Sequence, residues 1–301
     1  MIRTFEQLTD HLQQLSERRR VVVVNAIDRS TSEAVAKALD MGLIDAIFVG
    51  GCSEVAANKD LARHECHISL VEAADSDDAA AKAVGLINSG DADVLMKGKI
   101  NTDNLLRAIL NKETGMLPKG NVMTHITVAQ LPQLQKFTFF TDPAVIPYPT
   151  KEQRISQVTY CIRLCKAFGI DTPKLSLIHC TEKVNTRHFP FTQDYVDIVE
   201  MARQGDFGKC VVDGPLDVKT SLSAKAMQTK NIDSPIGGDA DVLLFPDIEA
   251  ANVFYKAITL FPGVQTAGLL QGTTRPVVLP SRGDTTTSKF YSLAAALTAI
   301  G

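Results

Sequence analysis

The chain has 301 residues, with 31 Lys and Arg against 34 Asp and Glu, a formal charge of −3, 45% hydrophobic and 22% charged residues. This balance describes an ordinary globular protein of one large or two medium domains. It argues against a basic nucleic-acid binder yet leaves anionic small molecules open, because a local cluster of cations suffices to hold them.

The predicted elements alternate. Residues 1–20 read as a helix with Phe5, Leu8, Leu12 and Leu15 on one stripe. Val21–Val24 is a β-branched run suited to a strand covered on both faces. A helix at 31–42 and a strand at 46–49 follow, then a helix at 77–89 and a strand at 92–96. A helix at 103–113 and a strand at 137–141 come next. The stretch 151–168 is amphipathic, with Ile155, Val158, Ile162 and Cys165 at helical spacing. Residues 175–179, 210–212, 242–245 and 276–279 read as strands, and a helix at 286–299 closes the chain. Such alternation predicts an α/β fold with a mostly parallel sheet. Ligands of these folds sit beyond the carboxyl ends of strands. The Pro-rich Asp142–Thr150 is the expected domain break.

No apolar run approaches the ~20 residues of a membrane span. The N-terminus lacks the apolar segment of a signal peptide. Six cysteines without framework spacing then suggest a reduced, cytoplasmic protein.

Three clusters follow strands. In ADVLMKGKINT (92–102), Lys97, Gly98 and Lys99 precede a helix that Asn101 or Thr102 could cap. Two lysines beside free helical amides suit a phosphate, with Gly98 letting backbone approach and Arg107 in the same helix. Solvated lysines at a turn are the alternative. In PVVLPSRGDTTTSKF (276–290), Ser281 offers a hydroxyl, Arg282 a planar fork and Gly283 an unobstructed backbone. An N-cap serine with a salt-bridged arginine would look the same. In the third cluster Asp247 can cap a helix starting near Ile248, on which Asn252 and Lys256 share a face. Asn252 could contact a ligand or make a buried hydrogen bond between helices.

His125 reads as preceding a strand and His179-Cys180 as ending one, so both could face a cleft. His64-x-Cys66-His67 lacks a second pair of metal ligands. Cys161 and Cys165 read as core. GxSxG, HExxH, GxGxxG and the Walker A loop are absent.

In order and spacing, ADVLMKGKINT, THITVAQLP, FFTDPAVIPYPT, EKVNTRHFP, VVDGPLDVKTSLS, SPIGGDADVLLFPDIEAANVFYK and QGTTRPVVLPSRGDTT resemble the phosphate acetyltransferase/phosphate butyryltransferase family. The EKVN and DGPLDVKTS segments look closer to the butyryl branch. The resemblance implies a two-domain α/β/α fold of isocitrate/isopropylmalate dehydrogenase type. Domain I would be 1–141 plus 270–301 and domain II 142–269, with the active site in the cleft between them. It implies reversible transfer of a short acyl group between coenzyme A and inorganic phosphate by a homodimer or higher homo-oligomer. Acyl-CoA, phosphate and acyl phosphate would be its partners, with no metal, no cofactor, no nucleic acid and no membrane.

The same resemblance places catalysis on Ser281 and Arg282. It also maps a family arginine to Arg107, and with the residue clusters above phosphate or substrate binding would fall to Lys97, Gly98, Lys99, Thr102, Arg107, His125, Gly283, Asn252 and Lys256. Ser288 stands where the acetyl branch has a proposed aspartate base. Two other readings stay open. One is a dehydrogenase relative using NAD and a metal, and the other is a non-catalytic protein that binds CoA or acyl phosphate.

Overall fold

The computed structural model describes residues 1–15, 17–281 and 283–300. In chain order its elements are α1 (Phe5–Gln13), β1 (Arg19–Val24), α2 (Arg29–Asp40), β2 (Ile44–Val49), α3 (Cys52–Ala56), α4 (Lys59–Ala62), a 3-10 turn (Glu65–His67), β3 (Ile68–Val71), α5 (Ser76–Asn88), β4 (Val94–Lys97) and α6 (Thr102–Ile109). Then come β5 (Thr124–Gln130), β6 (Phe137–Thr141), α7 (Lys151–Ala167), β7 (Lys174–Ile178), α8 (Thr192–Gln204), β8 (Val211–Leu216), α9 (Val218–Leu222), α10 (Ala224–Thr229), β9 (Val242–Leu244), α11 (Ile248–Thr259), β10 (Gln265–Gln271), β11 (Val277–Val278) and α12 (Thr286–Thr298). The fold is α/β with mostly parallel strand pairing.

The chain divides into two units, Phe5–Met123 with Thr266–Gly301, and Thr124–Gln265 with Met1–Thr4. The sequence reading set its boundaries at 141/142 and 269/270 instead. The difference has a plain cause: β5 pairs antiparallel with β6, and β6 pairs parallel with β9, so 124–141 side with the later strands. The Pro-rich Asp142–Thr150 therefore lies inside a unit. Asp142 folds it into a turn, accepting from the amides of Ala144, Val145 and Ile146.

In the first unit the strand order is β3-β2-β1-β4-β11-β10, parallel except for β10 against β11. Val21–Val24 are fully buried, as a strand covered on both faces requires. Strand β1 starts two residues earlier than predicted. Asp93 accepts from the Arg20 amide at 2.9 Å and its guanidinium at 3.1 Å, drawing the polar Arg19-Arg20 pair into the sheet. Helix α1 accordingly ends at Gln13 and not near residue 20. Helix α6 stops at Ile109, four residues early, because Asn111 accepts from the Glu113 and Thr114 amides and turns the chain.

In the second unit the order is β5-β6-β9-β7-β8. Alternation along β6 serves two cores. Phe137 and Phe139 meet Phe168 edge to face at 5.7 and 5.3 Å, while Phe140 points to the opposite face and meets Phe254 at 5.2 Å. Thr150 opens α7 with a capping box to Gln153, which accounts for the sharp helix start that the sequence predicted.

Candidate active site

Strands β1, β4 and β11 are adjacent and parallel. Val24 pairs with Lys97 and Val278 with Met96, so their carboxyl ends lie level. Each runs through a short loop into a helix, α2, α6 or α12. Three loops and three helix N-termini thus gather at one edge of the first unit. The positive ends of helices and their unpaired amides favour anions there.

The loop after β4 is held tightly. Gly98 donates its amide to Val24 O at 2.9 Å, and Lys99 donates to Asn25 O at 2.7 Å. A Cβ on Gly98 would fall 2.4 Å from Asn25 O and 2.6 Å from Val24 O. The missing side chain is needed against the protein's own strand end. That corrects the expectation that Gly98 opens backbone to a ligand, since its amide is already bonded.

Lys97 is buried, with Nζ 3.4 Å from Gly98 O. The Lys99 side chain is exposed and pairs with nothing among the described residues. Thr102 begins α6. The expected cap is not formed, because the Asn101 side chain makes no capping hydrogen bond. The first amides of α6 are therefore not taken by a cap. Arg107 sits on the last turn of α6 with 70% of its side chain exposed, 3.7 Å from Asp77 at the start of α5. Its observed partner is that carboxylate.

After β11, Asp284 shapes the turn. Its Oδ2 accepts from the Ser281 amide at 2.7 Å, and its own amide donates to Ser281 O at 3.2 Å. Ser281 is exposed and its hydroxyl makes no hydrogen bond among the described residues. Gly283 is exposed with open space where a Cβ would stand. Arg282 lies outside the described residues. Thr285 caps α12 by accepting from the Ser288 amide, so Ser281 is not the cap. The Ser288 hydroxyl donates to Thr266 O at 3.0 Å.

The remaining candidates belong to the second unit. His125 lies within β5 and does not precede it, because the strand begins at Thr124. Its amide donates to Asp142 Oδ2 at 3.2 Å. Asn252 donates from Nδ2 to Pro143 O at 2.8 Å, a bond to a loop and not between helices. Asp247 caps its helix as expected. Lys256 is exposed. The His125 amide and the Asn252 side chain thus both bond the turn at Asp142-Pro143.

Of the other flagged groups, His64 bonds Asp40 and His67 bonds Asp45, each at 2.8 Å. Cys161 and Cys165 are buried, and burial pushes their thiols far up. Among the described residues no group of three or more His, Cys, Asp and Glu is placed to hold a metal ion.

Residues 71–299 match the family model described as phosphate acetyl/butaryl transferase. The chain belongs to this family. It is 35% identical over 302 residues to a phosphate butyryltransferase of Clostridium acetobutylicum, covering 100% of this chain and 99% of the relative. It is 36% identical over 218 residues to a phosphate acetyltransferase of Thermotoga maritima, covering 72% and 74%. Among solved structures, a branched-chain phosphotransacylase from Enterococcus faecalis V583 superposes with a TM-score of 0.81 at 30% identity, covering 94% of this chain and 99% of that one.

In this member of the phosphate acetyl/butyryl transferase family, sequence reasoning missed one pair at the strand-end edge. Lys289, buried on α12, donates to Asp28 Oδ1 at 2.8 Å and to Thr31 Oγ1 at 3.0 Å. Asp28 also caps α2. Burial pushes the Asp28 carboxyl up, but the bonds from Lys289, Thr31 and Ser30 outweigh it and hold the pKa at about 2. A lysine at an otherwise apolar helical position was the available signal.

Proposed function

We propose that this chain catalyses reversible transfer of a short acyl group between coenzyme A and inorganic phosphate, preferring butyryl or a branched chain of similar size to acetyl. The observation that carries this is full-length similarity to a phosphate butyryltransferase at 35% identity. The likeness to a branched-chain phosphotransacylase supports the chain-length preference.

The chemistry needs anion clamps more than an enzyme nucleophile. In one direction a CoA thiolate attacks an acyl-phosphate carbonyl, and in the other phosphate attacks a thioester. Lys97, Lys99 and Arg282 hold the phosphate beside the uncapped start of α6. The Ser281 hydroxyl donates to the developing oxyanion or to phosphate, from a turn kept in shape by Asp284. Holding the two substrates side by side supplies much of the remaining acceleration. In the second unit, His125, Asn252 and Lys256 are assigned to substrate contact. Arg107 is a further phosphate ligand once it leaves Asp77.

The chain also acts as a homo-oligomer in this reading. Val253 and Leu260, seven residues apart along α11 and its end, expose 67% and 83%, and Phe261 exposes 65%. The isocitrate/isopropylmalate dehydrogenase type of architecture is part of the same proposal, supported by two discontinuous α/β units. Among the described residues no helix is long and apolar enough to cross a membrane.

The test is thiol release from acetyl-, butyryl- and isobutyryl-CoA, with and without phosphate, in EDTA. Release that depends on phosphate and is fastest with the four-carbon chains is expected. Equal release without phosphate would make the protein a thioester hydrolase.

A further inference from the structure

His179 and Cys180 follow β7 directly, at the carboxyl end of a parallel strand, and the strand-end site of the first unit does not use them. Cys180 is exposed. Its Sγ lies 3.8 Å from His179 Nε2, within reach of a hydrogen bond to sulfur. His179 is only 5% exposed. Among the described residues, that thiol is the sole polar contact of its ring.

The imidazole is held in place. The His179 backbone amide donates to Leu216 O at 2.8 Å. The Phe189 and Phe191 rings meet the imidazole edge to face at 4.6 and 5.3 Å. Burial lowers the proton affinity of His179, so the ring is neutral in neutral solution and able to take a proton. Among the described residues the other cysteines lack this arrangement. Cys52, Cys161 and Cys165 are buried, burial raises the Cys210 thiol, and Cys66 is exposed with no bonded base.

We propose that Cys180 and His179 form a thiol–imidazole pair that takes an acyl group from an acyl phosphate, making Cys180 a self-acylation site outside the catalytic cycle. Supply of that acyl donor in the cell rests on the reading in the preceding subsection. In the step, Cys180 Sγ attacks the carbonyl carbon. The C–S bond forms and the C–O bond to phosphate breaks. The thiol proton passes to His179 Nε2 and on to the departing phosphate. The products are a thioester on Cys180 and inorganic phosphate, and nothing is oxidised or reduced.

The experiment incubates the whole protein with butyryl phosphate, quenches in acid and maps thioesters by peptide mass spectrometry. Cys66 in the same molecule is the internal control. Cys180 is expected to acquire a hydroxylamine-sensitive acyl group at least about tenfold faster than Cys66. Cys180→Ser removes the label and leaves phosphate-dependent CoA release unchanged. His179→Asn slows alkylation of Cys180 by iodoacetamide about tenfold, with an unchanged circular dichroism spectrum. Equal labelling of Cys180 and Cys66, or no acyl group on Cys180, overturns the proposal whatever the turnover assay gives. Because butyryl phosphate is added as a reagent, labelled Cys180 without CoA turnover would sink the transferase reading alone.

Discussion

Lys289 Nζ sits 2.8 Å from Asp28 Oδ1 across 261 residues of sequence, with side-chain exposures of 5% and 25%. The pair ties the first turn of α12 to the first turn of α2. It thereby braces two of the three loops at the strand-end edge. Removing the cation leaves a half-buried carboxylate with only hydroxyl and amide partners. Lys289→Met should cost about 2–3 kcal/mol in urea unfolding. A change below about 0.5 kcal/mol would reduce the pair to a surface contact.

The same pair sets a pH dependence. The Asp28 carboxyl is held at about 2, below its ordinary 3.8. A depressed acid stabilises the fold above its unfolded pKa, and that stabilisation is lost as pH falls through the folded value. The contribution, about 1–2 kcal/mol after solvent screening, is therefore present above pH 3.8 and lost on acidification toward about 2. In Lys289→Met the folded carboxyl moves back toward its ordinary 3.8, so this acid loss should shrink, which acid titration of unfolding free energy would reveal. Superimposable acid limbs would refute the assignment.

Gly98→Ala tests the packing at the end of β1. Its Cβ would meet two backbone oxygens, at 2.4 and 2.6 Å, that the sheet holds in place. The strand end must shift, at about 2–3 kcal/mol. Thermal unfolding should drop by roughly 6 °C. An unchanged melting temperature would mean the loop gives way easily.

Arg282→Lys keeps the charge and removes the planar fork. If Arg282 grips phosphate in two places in the transition state, kcat/KM for phosphate should fall by roughly 2–4 kcal/mol of activation free energy. Near-normal turnover with a normal circular dichroism spectrum would remove Arg282 from the phosphate site.

Asp284→Asn separates shape from chemistry. An asparagine oxygen can still accept from the Ser281 amide, which Asp284 does at 2.7 Å. Most of the rate should survive. The Ser288 hydroxyl is committed to Thr266 O, so it is no substitute base. With no carboxylate base, the rate from acyl phosphate to CoA should rise with pH along one limb set by the thiol, whose ordinary pKa is ~8.5. A loss of about 100-fold or more in Asp284→Asn, with the fold intact, would make this carboxylate the base.

Much of the fold was legible in local pattern. The β-branched Val21–Val24, the helix after Thr150 and the cap Asp247 are all set by neighbours along the chain. The alternation of these elements by itself determines an α/β fold, and the motif order points to the family. The strands beside the turn-rich segments were not legible. β10, QTAGLLQ, carries a glycine and no β-branched run, and its place depends on pairing antiparallel with β11.

What only the tertiary structure decided concerns partners far apart in sequence. Arg19-Arg20 looked like the end of a solvated helix until Asp93, 73 residues on, supplied the acceptor that makes them a strand. Gly98 looked like an opening for a ligand until the end of β1 occupied the space. Lys289 drew no notice until Asp28 met it. Propensity and periodicity are properties of adjacent residues, and a sequence displays them directly. The free energy of a buried charge or of a close backbone contact depends on which distant atom folding brings within about 3 Å, and only the packed chain specifies that atom.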